Sequence, residues 1–412
     1  MSILYIILAI LLFHYVLELM VETLNVRHAS PDLPKEFADV YDQDKYKQSQ
    51  LYLKDNTRLS LWNSTLSTLV LVSAIFLGFF PVLDSWVRSV VDGEIQRGLL
   101  FIASIAGINY LLQLPLSIYH TFVIEERYGF NKSTPWIFFT DQIKAIIIGS
   151  LIGGIVLSAI LWFFESTGSQ AWLFCWIAMT ALQFLFMFLV PVLIMPLFNK
   201  FEALPDGDLK EAIETYAKSQ NFSLSGVYTM DASKRSTKAN AFFTGFGKSR
   251  RIVLFDTLVN HYSTEELVAV LAHEMGHFKK KHIVRMLSIG ILNTGILFYF
   301  LHLCMKWPAL FEAFSMEHLS VYASLVFFTF LYSPLSTLTS LMSNILSRKH
   351  EFEADAYAIH TYEHGEKLIS ALKKLSVDSL SNLTPHPLKV FLEHSHPPVL
   401  QRIDTIREEQ KA

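Results

Sequence analysis

The distribution of hydrophobic residues along the chain is dominated by seven long apolar runs, separated by polar segments. The runs cover residues 3–21, 66–82, 99–118, 146–164, 172–197, 284–304 and 321–345. At 1.5 Å per helical residue, each is long enough, or nearly so, to cross a hydrocarbon core of about 30 Å. Buried core helices are the competing interpretation, but seven such runs in one chain favour membrane spans. We therefore predict a mainly α, polytopic membrane protein with seven transmembrane helices.

The first apolar run could instead be a signal peptide. No positive residue precedes it and no small-residue cleavage site follows it, so we expect a retained first span. Glu18 lies inside this run, where a carboxylate is costly unless it faces protein or water. We therefore expect the Glu18 side chain to face protein or water.

Polar segments divide the chain into four parts. We predict a membrane region with five spans at residues 1–197, a cytosolic insert at 198–283, spans six and seven at 284–345, and a C-terminal helical region at 346–412. Within the insert, residues 208–220 predict an amphipathic helix and residues 267–277 a second helix, which Ser263 would cap. Short strands are predicted at 226–229, 239–244 and 252–255, with a hairpin turn at 245–249.

Basic residues are distributed unevenly between the loops. The segments before spans two, four and six, with the tail after span seven, hold 30 of the 34 Lys and Arg residues, whereas the three intervening loops hold 3. The positive-inside rule then predicts an external amino terminus and a cytosolic carboxyl terminus. The insert, with its helix at 267–277, would lie on the cytosolic side.

Composition narrows the classes of function. Hydrophobic residues make up 52% of the 412 residues and charged residues only 17%, where soluble proteins carry about 25% charged residues. The net charge of −3 and the lack of a basic aromatic patch argue against a nucleic-acid partner, and we expect no nucleotide. Cys175 and Cys304 lie in apolar runs and are typical of packing groups, so a metal would depend on histidines and carboxylates.

The last helix of the insert carries His273, Glu274 and His277. Histidines four residues apart lie on one helical face, one turn apart, and both can bind one metal ion. Glu274 would lie close enough to take a proton from a metal-bound water. An ordinary helix with two surface histidines is the alternative, because the chain has 15 histidines.

A tetrahedral zinc ion needs a third protein ligand and an open position for water. Glu351 and Asp355 follow span seven and share one helix face, whereas Glu353 points elsewhere. We predict that Glu351 is the ligand and that Asp355 holds a ligand histidine by its second ring nitrogen. His350 is a rival ligand that points off this face, and an ordinary solvated acidic face is the other alternative.

These groups predict hydrolysis of a peptide bond. Zinc would lower the pKa of its water and polarise the carbonyl, and Glu274 would pass the proton to the leaving amine. The tetrahedral intermediate needs a further donor beside the metal. His394, His396 and Arg402 offer donors and cations near the C-terminus, although histidine-rich surface loops of this kind, here with His386, usually have no catalytic role.

The chain resembles the integral-membrane zinc metalloproteases of the type I CAAX prenyl endopeptidase family. The resemblance covers nearly the whole length and follows the order of that family's motifs. It rests on residues 121–131 (TFVIEERYGFN), 240–246 (NAFFTGF), 273–277 (HEMGH), 351–355 (EFEAD), and His396-Pro397-Pro398 followed by Arg402. Several independent motifs make it more specific than the pentapeptide alone.

The resemblance implies seven helices that enclose a water-filled chamber, with a zincin-like site and a small strand element on the cytosolic side. It implies one zinc ion per chain and removal of the last three residues of prenylated CAAX proteins. By position, Asn240 would hold the substrate backbone, His396 would act in catalysis by bonding the scissile carbonyl, and Arg402 would support the site or bind the substrate's terminal carboxylate. A polar chamber would also accommodate charges near the spans, namely Glu18, Glu125 and Glu126, for which interfacial pairing with Lys or Arg is the alternative.

Short loops and a C-terminal sequence without a retention motif favour the bacterial inner membrane over the endoplasmic reticulum. The substrate would then be a peptide or membrane-associated protein, prenylated or not. Two other functions stay open. A quality-control protease for misfolded membrane proteins would share the zinc motif but have fewer spans, and a transporter should show repeated halves, which this sequence lacks.

Overall fold

Fifteen α-helices and a small sheet are present in the computed structural model, which describes residues 2–245, 250–305 and 307–411. The helices are α1 (Ser2–His28), α2 (Gln43–Phe76), α3 (Phe79–Val90), α4 (Glu94–Tyr119), α5 (Pro135–Ser166), α6 (Ala171–Leu189), α7 (Asp208–Ser219), α8 (Asp256–His261), α9 (Thr264–Lys279), α10 (His282–Cys304), α11 (Pro308–Ala313), α12 (Val321–Tyr362), α13 (Gly365–Asp378), α14 (Pro387–Glu393) and α15 (Val399–Glu409). The strands are β1 (Phe201–Ala203), β2 (Gly226–Met230), β3 (Ala241–Thr244) and β4 (Arg251–Phe255).

Seven helices among the described residues are long and apolar enough to cross a membrane, which confirms the predicted number of spans. They are α1, α2, α4 with its π-helical extension His120–Glu125, α5, α6 with the turns that follow it, α10 and α12. Two of them extend well beyond their apolar runs. Helix α2 begins well before its apolar run and is capped by Asp42, whose side chain accepts from the amide of Lys45 at 2.7 Å. Helix α12 has 42 residues and continues past its apolar run to Tyr362.

The second span ends earlier than its apolar run suggests. Gly78 has φ of 67° and separates α2 from the short helix α3. A left-handed residue interrupts helical hydrogen bonding, and glycine adopts this conformation without steric cost. The predicted span at 66–82 is therefore two helices that meet at Gly78.

The ends of the bundle are packed, while its middle is open. On α12, one apolar core includes Tyr322–Phe328 and the other includes Ala358 and Ile359, about 45 Å away at 1.5 Å per residue. None of residues 329–349 between them is buried. Since only 0 to 22% of the most apolar window of each span is buried, the middle of the spans faces lipid or the interior, as expected for helices around a chamber.

The acidic side chains in or near the spans have polar partners. Glu18 accepts a hydrogen bond from Ser64 Oγ at 2.7 Å, in agreement with the expectation that this carboxylate faces protein or water. Glu125 pairs with Lys238 at 3.0 Å, and Glu126 accepts from Asn131 Nδ2 at 2.9 Å. At Glu125, the structure therefore shows pairing with a lysine, which was the alternative to a position in a polar chamber.

The sheet has the strand order β1-β2-β4-β3, so β3 is an edge strand. β2 and β4 pair in parallel, and β3 pairs with β4 in the antiparallel sense. The strand predicted at 239–244 begins two residues later, at Ala241, although the amide of Phe255 still donates to the carbonyl of Asn240 at 3.0 Å in the same register. The three residues of β1 were not predicted from the sequence. Apart from Gly245, the predicted turn at 245–249 lies outside the described residues.

Candidate active site

The helix that carries the histidine motif is anchored at its start by a capping box. Ser263 Oγ accepts from the amide of Glu266, and the Glu266 carboxylate accepts from the amide of Ser263 at 2.8 Å. The same buried carboxylate accepts from Ser370 Oγ at 2.6 Å and pairs with Lys374 at 2.7 Å, both on α13. Burial would raise the pKa of Glu266, but these contacts outweigh it and hold the pKa below its ordinary value.

A glycine brings α9 against α12, the helix that carries the predicted third ligand. A Cβ atom on Gly276 would lie 2.9 Å from the Cα of Ala354 and 3.0 Å from its carbonyl oxygen. Backbone atoms cannot move aside as a flexible side chain can, so only glycine allows this approach. The two helices therefore meet next to His277 and Glu351.

Three of the predicted site residues form one cluster. His273 Nε2 lies 3.1 Å from His277 Nε2, and Glu351 Oε1 lies 3.2 Å from His277 Nε2. Glu351 Oε2 lies 3.5 Å from His273 Nε2. One potential ligand atom from each residue lies within 4.8 Å of the other two.

The residues of this cluster fit a metal ion. Glu351 is buried, and its Oε2 has no hydrogen-bond partner within the described part of the chain, although Arg402 Nη1 lies 3.2 Å away without bonding geometry. The ion pair with Arg402 offsets part of the cost of burying this carboxylate, and a metal ion held between Glu351 and the two imidazoles would offset more of it. Two imidazole nitrogens and one carboxylate are the donor set of many catalytic zinc sites.

Asp355 and Arg402 lie behind His273. Asp355 Oδ1 lies 2.8 Å from His273 Nδ1, and Arg402 donates two hydrogen bonds to the Asp355 carboxylate, at 2.8 and 2.6 Å. Burial opposes the charged imidazolium, but the bonds to Asp355 and Glu351 outweigh it and raise the pKa of His273 to about 9. Arg402 is itself buried, and its guanidinium lies next to the carboxylates of Asp355 and Glu351 instead of bulk solvent.

A cavity of about 280 Å³ collects the remaining predicted residues. Glu274, Asn240, His396 and Arg402 line it together with the three clustered residues, whereas Asp355 lies behind it. His396 is exposed, and its Nε2 lies 3.4 Å from Glu351 Oε1. Apolar side chains also line this cavity, namely Leu258, Val270, Leu368, Leu372 and Leu375.

Two residues that were not predicted to belong to the site, His282 and Glu353, lie next to the cluster. His282 Nδ1 lies 3.1 Å from His277 Nδ1, and His282 Nε2 lies 2.9 Å from Glu353 Oε2. Glu353 does point away from the three clustered residues, but toward this histidine. The rival ligand His350 contributes no atom to the cluster and stacks on His282, with ring centroids 3.9 Å apart. The sequence signal that could have pointed to this contact is His282 itself, a third histidine five residues after His277 and at the start of span six.

A seven-helix membrane bundle with a His–His–carboxylate cluster and an adjacent carboxylate defines a membrane-embedded metallopeptidase. The family model for the CAAX prenyl protease N-terminal region, described as five membrane helices, matches residues 22–200, and the model for peptidase family M48 matches residues 203–410. The chain belongs to peptidase family M48.

Similar proteins cover nearly the whole chain. The CAAX prenyl protease 1 homolog of Arabidopsis thaliana is 35% identical, over 92% of both chains. The CAAX prenyl protease 1 of Saccharomyces cerevisiae is 32% identical, over 92% of this chain and 90% of its own. The crystal structure of S. mikatae Ste24p superposes with a TM-score of 0.93 at 31% identity, covering 98% of each chain. The predicted family, the seven-helix fold and the membrane metalloendopeptidase activity are confirmed, and neither the quality-control nor the transporter alternative is favoured.

Proposed function

We propose that this chain is a zinc endopeptidase that cleaves peptide bonds near the carboxyl terminus of prenylated CAAX-type proteins. The observation that carries the proposal is the convergence of His273, His277 and Glu351 beside Glu274 in one cavity. The names of the relatives, CAAX prenyl proteases, support the substrate class. Zinc is the ion that this donor set suits best.

His273, His277 and Glu351 would hold the zinc ion. When bound, the ion would activate a water molecule and polarise the scissile carbonyl. Glu274 lines the same cavity one residue after His273, where it takes the proton of the water and delivers it to the leaving amine. Asp355 keeps the proton of His273 on Nδ1, so that Nε2 is free to bind the metal.

The substrate backbone would lie beside β3, whose outer edge is unpaired within the described sheet. An extended peptide can add to such an edge as a further strand. Asn240 directly precedes β3, and its Oδ1 accepts from Ala241 N at 2.8 Å, which leaves its amide NH₂ to donate to the substrate. The apolar lining of the cavity suits the aliphatic side chains of a C-terminal tripeptide.

His396 and Arg402 would have different roles. His396 is exposed at the cavity, and its Nδ1 lies 2.9 Å from Ser395 Oγ, so its Nε2 is available to donate to the scissile carbonyl. Arg402 is buried and holds Asp355 through two hydrogen bonds. We assign it as a positioning residue for His273 and not as the group that binds the substrate's carboxylate.

The active site would face the cytosol, with the amino terminus on the opposite side, as the distribution of basic residues favours. The relatives compared above are eukaryotic, which favours the endoplasmic reticulum membrane. The bacterial inner membrane, which the short loops favour, stays an untested prediction.

Two variants separate catalysis from metal binding. Glu274→Gln should retain one zinc per chain and lose peptide cleavage, because the ligands stay and the proton acceptor is removed. Glu351→Ala should lose zinc and activity together, since a ligand is removed. Zinc content and peptide cleavage of the purified proteins test both. Unchanged cleavage by Glu274→Gln would contradict the mechanism, and tight zinc in Glu351→Ala would move the third ligand to another residue.

The substrate class is tested with a prenylated CAAX peptide and its unprenylated twin. We expect faster cleavage of the prenylated peptide, because the relatives are named as prenyl proteases and an apolar chain gains free energy when it leaves water. The Glu274→Gln variant is the control for contaminating proteases. Equal rates for the two peptides would favour the quality-control function without prenyl specificity.

A further inference from the structure

His282 is held against the metal cluster by the turn between α9 and α10. Lys281 has φ of 60°, a left-handed conformation that is strained for a residue with a side chain. This residue lies between α9 and α10, and the first residue of α10 lies against the ring of His277. His282 is almost completely buried as a result.

Three side chains then form a continuous hydrogen-bonded row. His277 Nδ1 lies 3.1 Å from His282 Nδ1, and His282 Nε2 lies 2.9 Å from Glu353 Oε2. Glu353 belongs to α12, 71 residues further along the chain. The row therefore joins α9, α10 and α12 at the site.

Only one arrangement of protons suits this row when His277 binds a metal. The Glu353 carboxylate can only accept, so the proton of a neutral His282 lies on Nε2 and its Nδ1 becomes an acceptor. His277 must then donate from Nδ1, and its Nε2 carries a lone pair toward the cluster. The opposite arrangement would place a proton on His277 Nε2, which would prevent metal binding there.

We propose that His282 and Glu353 are positioning residues that orient His277 as a metal ligand, as Asp355 and Arg402 do for His273. This inference rests on the proposed function, because it requires His277 to be a ligand. Bonds to the second nitrogen of a ligand histidine fix its tautomer and its orientation, and their loss typically weakens metal affinity 10- to 100-fold.

Three neighbours of the row, namely His350, Arg285 and Lys349, allow an effect on metal binding to be distinguished from an effect on packing. His350 is as buried as His282 and stacks on it at an interplanar angle of 10°, but its Nε2 has no hydrogen-bond partner within the described part of the chain. Glu353 also meets Arg285 at 3.6 Å and Lys349 at 3.9 Å toward the surface. His350 and these two cations provide matched controls.

The test measures zinc affinity of the full-length protein in detergent, by competition with a chelating dye. His282→Phe keeps the ring and its stacking but removes both nitrogens, so we expect zinc to bind about 10- to 100-fold more weakly. His282→Asn retains a side-chain acceptor near the former Nδ1 and should keep most of the affinity. Glu353→Ala should weaken zinc binding as well, because His282 can then adopt either tautomer.

His350→Phe, Arg285→Ala and Lys349→Ala should bind zinc like the parent protein. The unfolding temperature of the metal-free proteins shows whether any variant has lost its fold, and excess zinc should restore peptidase activity to His282→Phe. Parental zinc affinity in His282→Phe would overturn the proposal, and so would an equal loss in His350→Phe, which would mark a packing effect. A parent protein that binds no zinc would instead refute the proposed function itself.

Discussion

The two histidines proposed as ligands differ in what lies behind them. His273 is backed by Asp355 and Arg402, and His277 by His282 and Glu353. One carboxylate in each set lies on α12, so under this proposal a single helix would set the tautomer of both rings. Glu351, Glu353 and Asp355 occupy every second position of this part of α12. Glu353 contacts His282 and Asp355 contacts His273, whereas only Glu351 belongs to the cluster.

Glu266 is the residue at which pH should affect the stability of the catalytic helix. Its pKa is held below the ordinary value, so its contribution is fully present above that value and is lost as the pH falls through the lowered pKa. We expect Glu266→Gln to destabilise the protein by about 1–2 kcal/mol at neutral pH. The difference from the parent should shrink as the pH falls below about 4.

Unfolding of detergent-solubilised protein, followed over this pH range, tests the expectation. Glu265→Gln is the matched control, since Glu265 lies in the same first turn but is half-exposed. Its effect on stability should be much smaller than that of Glu266→Gln. A Glu266→Gln variant with a pH-independent difference from the parent would assign the contribution to something other than the ionised carboxylate.

At the scale of helices, the site depends on how closely α9 approaches α12. A helical glycine is normally less stable than alanine by about 1 kcal/mol, so its presence at Gly276 has to be explained by the neighbouring helix. The backbone of Ala354 lies where a Cβ atom would be. The distance between the two helices sets the distance between the histidine motif and Glu351.

We expect Gly276→Ala to lower zinc occupancy and to reduce peptidase activity by about tenfold or more, because the ligands are displaced from one another. Gly290→Ala on α10 is the control, since the nearest atom to its added Cβ is Gln183 Nε2 at 3.5 Å, an ordinary contact. Cleavage rate and zinc content of both variants are the measurements. Parental activity in Gly276→Ala would show that α12 can shift without loss of the site.

At the scale of the whole molecule, the two cores close the ends of a bundle whose middle is little buried. One of these cores includes helices of the candidate active site, among them α7, α9, α13 and α15. The membrane bundle and the candidate metal site therefore belong to one structure. Release of the bundle should release the metal as well, because α12 runs through both.

Orientation in the membrane is tested by labelling introduced cysteines with a membrane-impermeant maleimide. Lys218→Cys on α7 and Asp92→Cys between α3 and α4 replace highly exposed side chains, whereas the native Cys175 and Cys304 are buried. We expect Lys218→Cys to react only from the cytosolic side and Asp92→Cys only from the other side. The reverse pattern would invert the proposed topology.

The sequence by itself determined the features that depend on local pattern. Seven apolar runs specify seven spans because span length follows from helix rise and bilayer thickness. The spacing of His273 and His277, and the cap at Ser263, follow from the period of one helix. Strand limits were less certain, since Asn240 lies before β3 and β1 has only three residues.

Tertiary structure alone decided which distant residues meet. Helical periodicity placed Glu353 off the face of Glu351, but it could not show that His282 lies opposite, because the left-handed Lys281 and the packing of α10 determine this. The close approach at Gly276 likewise depends on a helix that follows some seventy residues later. Periodicity describes which way a side chain points along its own helix, whereas the groups that surround it are set by the packing of the whole chain.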